Sequence, residues 1–210
     1  MLKRVIVINK IVKLEIMEIG KTLYVKNRRQ WRRWLEKNYA NEPEIWLIYY
    51  KKHSGKPRIP YNDAVEEALC FGWIDSNLKP VDGESYAQRF TPRRKNSKLS
   101  EMNKERVRRL IKAKLMNAAG LEKIKHELHP HSLKLNKVPK VKKYVPAKDI
   151  LNELKKDPIV WKNFRKFPQS YKRIRVAWID GSRRRHDVFK TRLNYFIRMT
   201  AKNKKFGMVK

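Results

Sequence analysis

Residues 129–145 read "HPHSLKLNKVPKVKKYV", with two prolines, five lysines and no acidic side chain. Proline supplies no amide donor to a helix interior or a central strand, and like charges spaced this closely repel one another. The stretch has the composition of a linker, so the chain has to build its cores on either side of it. We expect an N-terminal module over residues 17–128 and a C-terminal module over 146–210. Residues 1–16 fall outside both; they are either a disordered extension, a single edge strand or a start-codon artefact, with Met17 as a second plausible start.

Before the linker, strand-like and helix-like periodicities alternate. "KTLYVKN" reads as a short strand, and Asn27 can cap a helix whose Trp31, Trp34 and Leu35 recur at i, i+3 and i+4. "EIWLIYYKK" follows Pro43 as a β-branched and aromatic run, the pattern of a central strand. In "YNDAVEEALCFG" the cap falls on Asn62 or Asp63, Asp63 and Glu66 approximate a capping box, Val65, Ala68 and Leu69 point inward, and Gly72 stops the helix. "WIDSNLKPV" and "SYAQRFTPR" flank Asp82-Gly83 as an antiparallel hairpin, Ser100 caps a helix with Val107, Leu110 and Ile111 inward, and "AAGLEKIKHEL" forms a shorter helix. The predicted class is α+β: a small antiparallel sheet with packed helices. After the linker, apolar stripes at Ile150, Leu151 and Leu154, at Trp161, Phe164 and Phe167, at Ile174, Ala177 and Trp178, and at Phe189, Leu193, Phe196 and Ile197 predict a small all-helical module.

Charge bounds the partners. Lys and Arg number 53 against 20 Asp and Glu, a net +33. Residues 129–210 hold 24 basic and 5 acidic side chains, and residues 1–128 hold 29 and 15. Such a field draws polyanions of every kind (nucleic acid, anionic lipid, acidic protein) and governs encounter rate more than specificity. A single cysteine excludes an intramolecular disulfide framework and a multi-cysteine zinc site. The longest apolar run, Ile45 to Tyr50, is far short of the roughly 20 residues that cross a bilayer. The start "MLKRVIVINKIVK" has neither an adequate apolar segment nor a small-residue cleavage site, so the expectation is a cytoplasmic protein with no transmembrane segment.

Few side chains are arranged for chemistry. Cys70 lacks a recognisable partner: His53 is the histidine nearest in sequence, and Cys70 borders the inward stripe of its helix, which predicts a packed core thiol. His126, His129 and His131 share a lysine-rich surrounding that repels a dication, so no metal is expected, and no dinucleotide or phosphate-loop motif calls for a cofactor. "RFTPRRKNSKLS" is the strongest candidate site. Arg89 lies on a strand, Arg93, Arg94 and Lys95 on a loop, and the loop runs into a helix N-terminus, whose free amides and positive dipole end favour an anion. Arg106 and Lys51 complete the candidate anion set. The competing reading satisfies these arginines internally, with Arg89 facing Asp75 across the hairpin. "GSRRRHD" places three more arginines at the start of the last helix, where they either attend an anion or occupy an ordinary exposed turn.

The segments "WLIYYKKHSGK", "AVEEALCFGWIDS", "AQRFTPRRKNS" and "NKERVRRLI" resemble, in order and spacing, the YdeI/OmpD-associated family of bacteriocin-protection proteins, from about Met17 to near the C-terminus. Cys70, Phe71, Gly72, Trp73, Asp75, Pro92 and Asn103 carry the motif in the first module. The second half looks like the family's helical module; Thr191-Arg192 is kept, Gly181-Ser182 replaces an Ala-Lys pair, and Lys98-Leu99 stands where a tryptophan is common. The resemblance implies a soluble cytosolic protein tied to envelope or antimicrobial-peptide stress, and it transfers no catalytic residue.

Three functions follow as expectations. The first is a non-enzymatic protein that binds an anionic partner, nucleic acid or an acidic envelope or protein component. The second is an enzyme for a small phosphorylated or carboxylated metabolite, with Asp75 as acid or base beside Arg89 and Arg94. The third is an adaptor whose C-terminal bundle docks an acidic protein.

Overall fold

The computed structural model describes residues 18–128 and 145–207. The extension 1–16, His129, His131 and all of the linker except Val145 lie outside the described residues.

The first module runs β1 (Thr22–Tyr24), α1 (Arg28–Asn38), β2 (Ile45–Tyr50), α2 (Tyr61–Cys70), β3 (Trp73–Pro80), β4 (Ser85–Pro92), α3 (Glu101–Lys112) and α4 (Ala118–Lys123). Its sheet has the order β1-β2-β4-β3. The α+β class is as expected, with one difference in pairing. β1 runs parallel to β2, because α1 carries the chain back to start β2 in the same direction, while β2–β4 and β3–β4 are antiparallel. The aromatic run of β2 is an interior strand, and the hairpin turn closes on Asp82, whose Oδ1 accepts from the amides of Glu84 and Ser85 at 2.8 and 2.7 Å.

Local signals set most helix boundaries. The side chain of Asn27 accepts from the amide of Gln30, and that of Ser100 from the amide of Asn103. The capping box expected at Asn62 or Asp63 does not form. α2 begins at Tyr61 straight after Pro60, with no side-chain cap, and this frees Asn62 for Arg106 and leaves Asp63 and Glu66 beside Arg28. α2 is then buried on most of its circumference, from Ala64 through Cys70. Even Glu67 is 2% exposed; it accepts from Arg28 and, at 2.8 Å, from Arg32, which is how a carboxylate can lie in that core. Gly72 ends the helix with φ +75, a backbone that side-chain-bearing residues rarely adopt, and its carbonyl accepts from the amide of Arg93 at 2.8 Å. One residue thus turns the chain into β3 and anchors the start of the arginine loop.

The second module packs α5 (Lys148–Lys155), α6 (Pro158–Lys166), α7 (Gln169–Asp180) and α8 (His186–Ala201) around its own core of Ile150, Leu154, Val160, Phe164, Phe196 and neighbours. The expected stripe on α7 shifts. Ile174 is buried, but Ala177 and Trp178 are half-buried, and Tyr171, Arg175, Val176 and Ile179 fill the inner face. The modules meet where α3 packs on α7, with Arg173 Nη2 3.2 Å from Glu105 Oε2. No described helix is long and apolar enough to cross a membrane.

Candidate functional site

The expected anion set separates into occupied and unoccupied guanidinium groups. Arg89 is occupied: its Nε and Nη2 both donate to Glu44 Oε2, the first at 2.7 Å. Burial alone would raise the Glu44 carboxyl, yet hydrogen bonds from Arg89 and Trp46 hold it below its ordinary value. The Asp75–Arg89 pairing across the hairpin does not occur. In the register Asp75 stands opposite Phe90, and successive side chains on a strand face opposite ways, so Arg89 turns to the other face. Asp75 accepts instead from the Tyr61 hydroxyl at 2.6 Å. Asp75 and Arg89 are therefore not brought together as the metabolite-enzyme reading expects.

Arg106 is occupied too, donating to Asn103 Oδ1 at 2.7 Å and Asn62 Oδ1 at 2.6 Å from a buried position. Lys51 donates to the carbonyl of Gly83 at 2.9 Å, at the end of β2 away from Arg89, and does not join the loop.

Arg93 and Arg94 differ from these. Arg93 is only 4% exposed; its Nη2 donates to the carbonyls of Ser97 and Lys98 at 3.0 and 3.1 Å, while its buried Nε has no partner. Desolvation lowers its pKa, Glu127 and Asp75 act the other way through space, and the group stays charged. Arg94 is exposed, and its side chain makes no hydrogen bond or ion pair among the described residues, although its carbonyl accepts from the amide of Ser97 at 3.2 Å. Both arginines line a groove of about 720 Å³ that also takes in Arg89, Ser97, Lys98, Ser100 and Asn103. The loop forming one wall is braced from three sides: by Arg93, by His126 Nε2 lying 3.2 Å from the carbonyl of Ser97, and by Glu127 Oε1, which accepts from the amide of Leu99 at 3.0 Å. The first amides of α3 have no intrahelical acceptor and add partial positive charge at the groove.

Cys70 is fully buried, and its pKa is pushed up to about 12, by burial first and by Glu67 second. That is the reverse of thiolate activation. His53 lies exposed in the short turn 52–54. Phe71 and Trp73 are core side chains, Trp73 Nε1 donating to the carbonyl of Tyr39 at 3.0 Å, and Pro92 closes the β3–β4 ladder opposite Trp73. Of the three arginines at 183–185, Arg183 is held by Asp149 at 2.8 Å and by Asp180, which ties α5 to the end of α7.

A second concavity, of about 770 Å³, lies between the modules and is lined by Leu99, Glu101 and Met102 on one side and Ile174, Arg175 and Trp178 on the other. Arg175 was not among the residues singled out from the sequence. The available signal was an arginine with aromatic residues at i−4 and i+3, Tyr171 and Trp178, on an otherwise apolar helix face.

Residues 144–203 match the family model described as bacteriocin-protection, YdeI or OmpD-associated, and residues 23–123 match a model described as a domain of unknown function (DUF8412). The family match therefore covers part of the chain, and it falls on the helical module rather than on the "ALCFGWIDS" and "RFTPRR" segments. No curated protein and no solved structure gives a significant match.

Proposed function

Proceeding from the match of the helical module to the bacteriocin-protection family, we propose that the chain is a non-enzymatic binding protein that takes hold of phosphate-bearing polyanions, nucleic acid foremost, through the Arg93–Arg94 groove of its first module. One observation carries this reading. The Arg94 side chain has no partner among the described residues, and Arg93, which lines the same groove, keeps one buried, unpartnered N–H. A buried guanidinium offsets its desolvation only when its donors are met, and a charged phosphate oxygen is a strong acceptor for the one N–H of Arg93 left open. The net +33 raises the encounter rate with any polyanion.

The contact is to phosphate rather than to bases. Phe90 is fully buried, and Tyr86 lies stacked on Tyr49 with centroids 5.3 Å apart, so neither of these aromatic groups beside the loop offers a face for base stacking. Binding is then indifferent to sequence. The family's description supports a role in tolerance of antimicrobial peptides, and we place that role in the cytoplasm.

The test is binding of the full chain to labelled duplex DNA, RNA, polyglutamate and anionic vesicles over a salt series. The proposal expects nucleic acid to bind regardless of sequence, with log affinity falling by about 0.9 per phosphate neutralised for each unit of log salt. Tighter binding to polyglutamate or to vesicles than to nucleic acid at matched salt would transfer the function to an acidic protein or a membrane surface. Absence of nucleic-acid binding at low salt rejects the proposal.

A further inference from the structure

We propose that the concavity between α3 and α7 is a second, separate site, for a small monocarboxylate with an apolar body, whose carboxylate Arg175 receives.

Arg175 is 6% exposed, and its Nε is buried without a hydrogen-bond partner. No carboxylate among the described residues forms an ion pair with it. Three rings surround the guanidinium instead, those of Tyr171, Trp178 and Phe206 at 5.6, 5.7 and 4.6 Å. Cation–π contact offsets part of the cost of burying a charge, but it satisfies no N–H. A carboxylate supplies both the missing acceptor and the missing counter-charge.

The remaining walls define the rest of the ligand. Leu99, Met102, Ile174, Ala177 and Trp178 offer apolar surface, and about 770 Å³ is room for a small organic molecule. On the α3 side Lys104 Nζ sits 3.2 Å from both Glu101 Oε1 and Glu127 Oε2, one cation between two carboxylates. Arg175 apart, the charged lining of the cavity holds three carboxylates, Glu101, Glu127 and Asp180, against two lysines, Lys98 and Lys104, so it opposes a second anionic group on the ligand. The groove at Arg94 attracts polyanions, whereas this cavity selects a single negative charge. Lys98 and Ser100 line both, back to back.

The probes are phenylacetate, hexanoate, the neutral phenylacetamide and the dianion succinate, tested on the full chain by thermal shift and calorimetric titration. Phenylacetate and hexanoate are expected to bind and raise Tm, with phenylacetamide and succinate at least tenfold weaker. Arg175→Met is expected to weaken carboxylate binding about tenfold or more, the loss of one charge-assisted contact. Ala177→Trp fills the cavity, keeps Arg175, and is expected to abolish binding; it decides the matter if Arg175→Met does not fold by circular dichroism. Equal binding of phenylacetate and its amide, no binding of either carboxylate to the wild type, or full carboxylate affinity in a folded Arg175→Met or Ala177→Trp variant would overturn the proposal.

Discussion

The carboxylate of Glu127 accepts a hydrogen bond from the backbone amide of Leu99, 3.0 Å away across 28 residues of sequence. Leu99 belongs to the loop that separates the arginine groove from the inter-module cavity, and Lys98 and Ser100 on either side of it line both. Glu127 therefore holds the partition between the two concavities, and its ionisation is linked to the stability of that partition.

Acid should release it. Burial alone would raise the Glu127 carboxyl, but the Leu99 amide and the Lys104 ammonium outweigh burial and hold it below its ordinary 4.5. A carboxyl with a depressed folded pKa stabilises the fold above its unfolded pKa and loses that stabilisation as pH falls through the folded value. Thermal melts of the wild type and Glu127→Gln should differ by a constant amount from neutral pH down to about 4.5 and converge below it. A gap that widened in acid would assign the wrong sign to the interaction.

Gly120 in α4 abuts the carbonyl of Cys70 so closely that a Cβ would collide with backbone atoms of Cys70 and Leu69, neither of which is the flexible end of a side chain. Helix propensity alone favours alanine over glycine by about 1 kcal/mol. The steric conflict is the larger effect, and Gly120→Ala should destabilise the chain by about 1–3 kcal/mol in urea titration. A stabilised variant would mean that α4 sits further from α2 than described.

Cys70 should be chemically silent in the folded protein. Its thiol is fully buried with a pKa pushed up to about 12, so a disulfide-exchange reagent near neutral pH meets almost no thiolate. Labelling is expected to follow global unfolding in a denaturant series, with one thiol released. Rapid stoichiometric labelling under native conditions would restore the nucleophile reading of this residue.

Much of the fold was legible because its signals are local. A cap is written in four residues, as at Asn27 and Ser100, and the hairpin around Asp82-Gly83 in two. The burial of Cys70 followed from helical spacing together with the tendency of free cysteine to be buried. Where the reading failed, the deciding partner was distant in sequence. Arg89 went to Glu44, 45 residues away, because strand parity turned it from Asp75, and Asn62 was drawn from its cap by Arg106, 44 residues away. The parallel β1–β2 pairing depends likewise on how α1 packs, which composition does not reveal. Of the candidate arginines, the sequence identified the loop but could not say which forks were already engaged.

The most direct test of that distinction is the salt dependence of nucleic-acid affinity in Arg94→Ala beside Arg33→Ala, an exposed arginine on α1 outside the groove. Loss of one phosphate contact should reduce the slope of log affinity against log salt by about 0.9 in Arg94→Ala and leave it unchanged in Arg33→Ala. Equal slopes in the wild type and Arg94→Ala would contradict the assignment of the groove as the polyanion site.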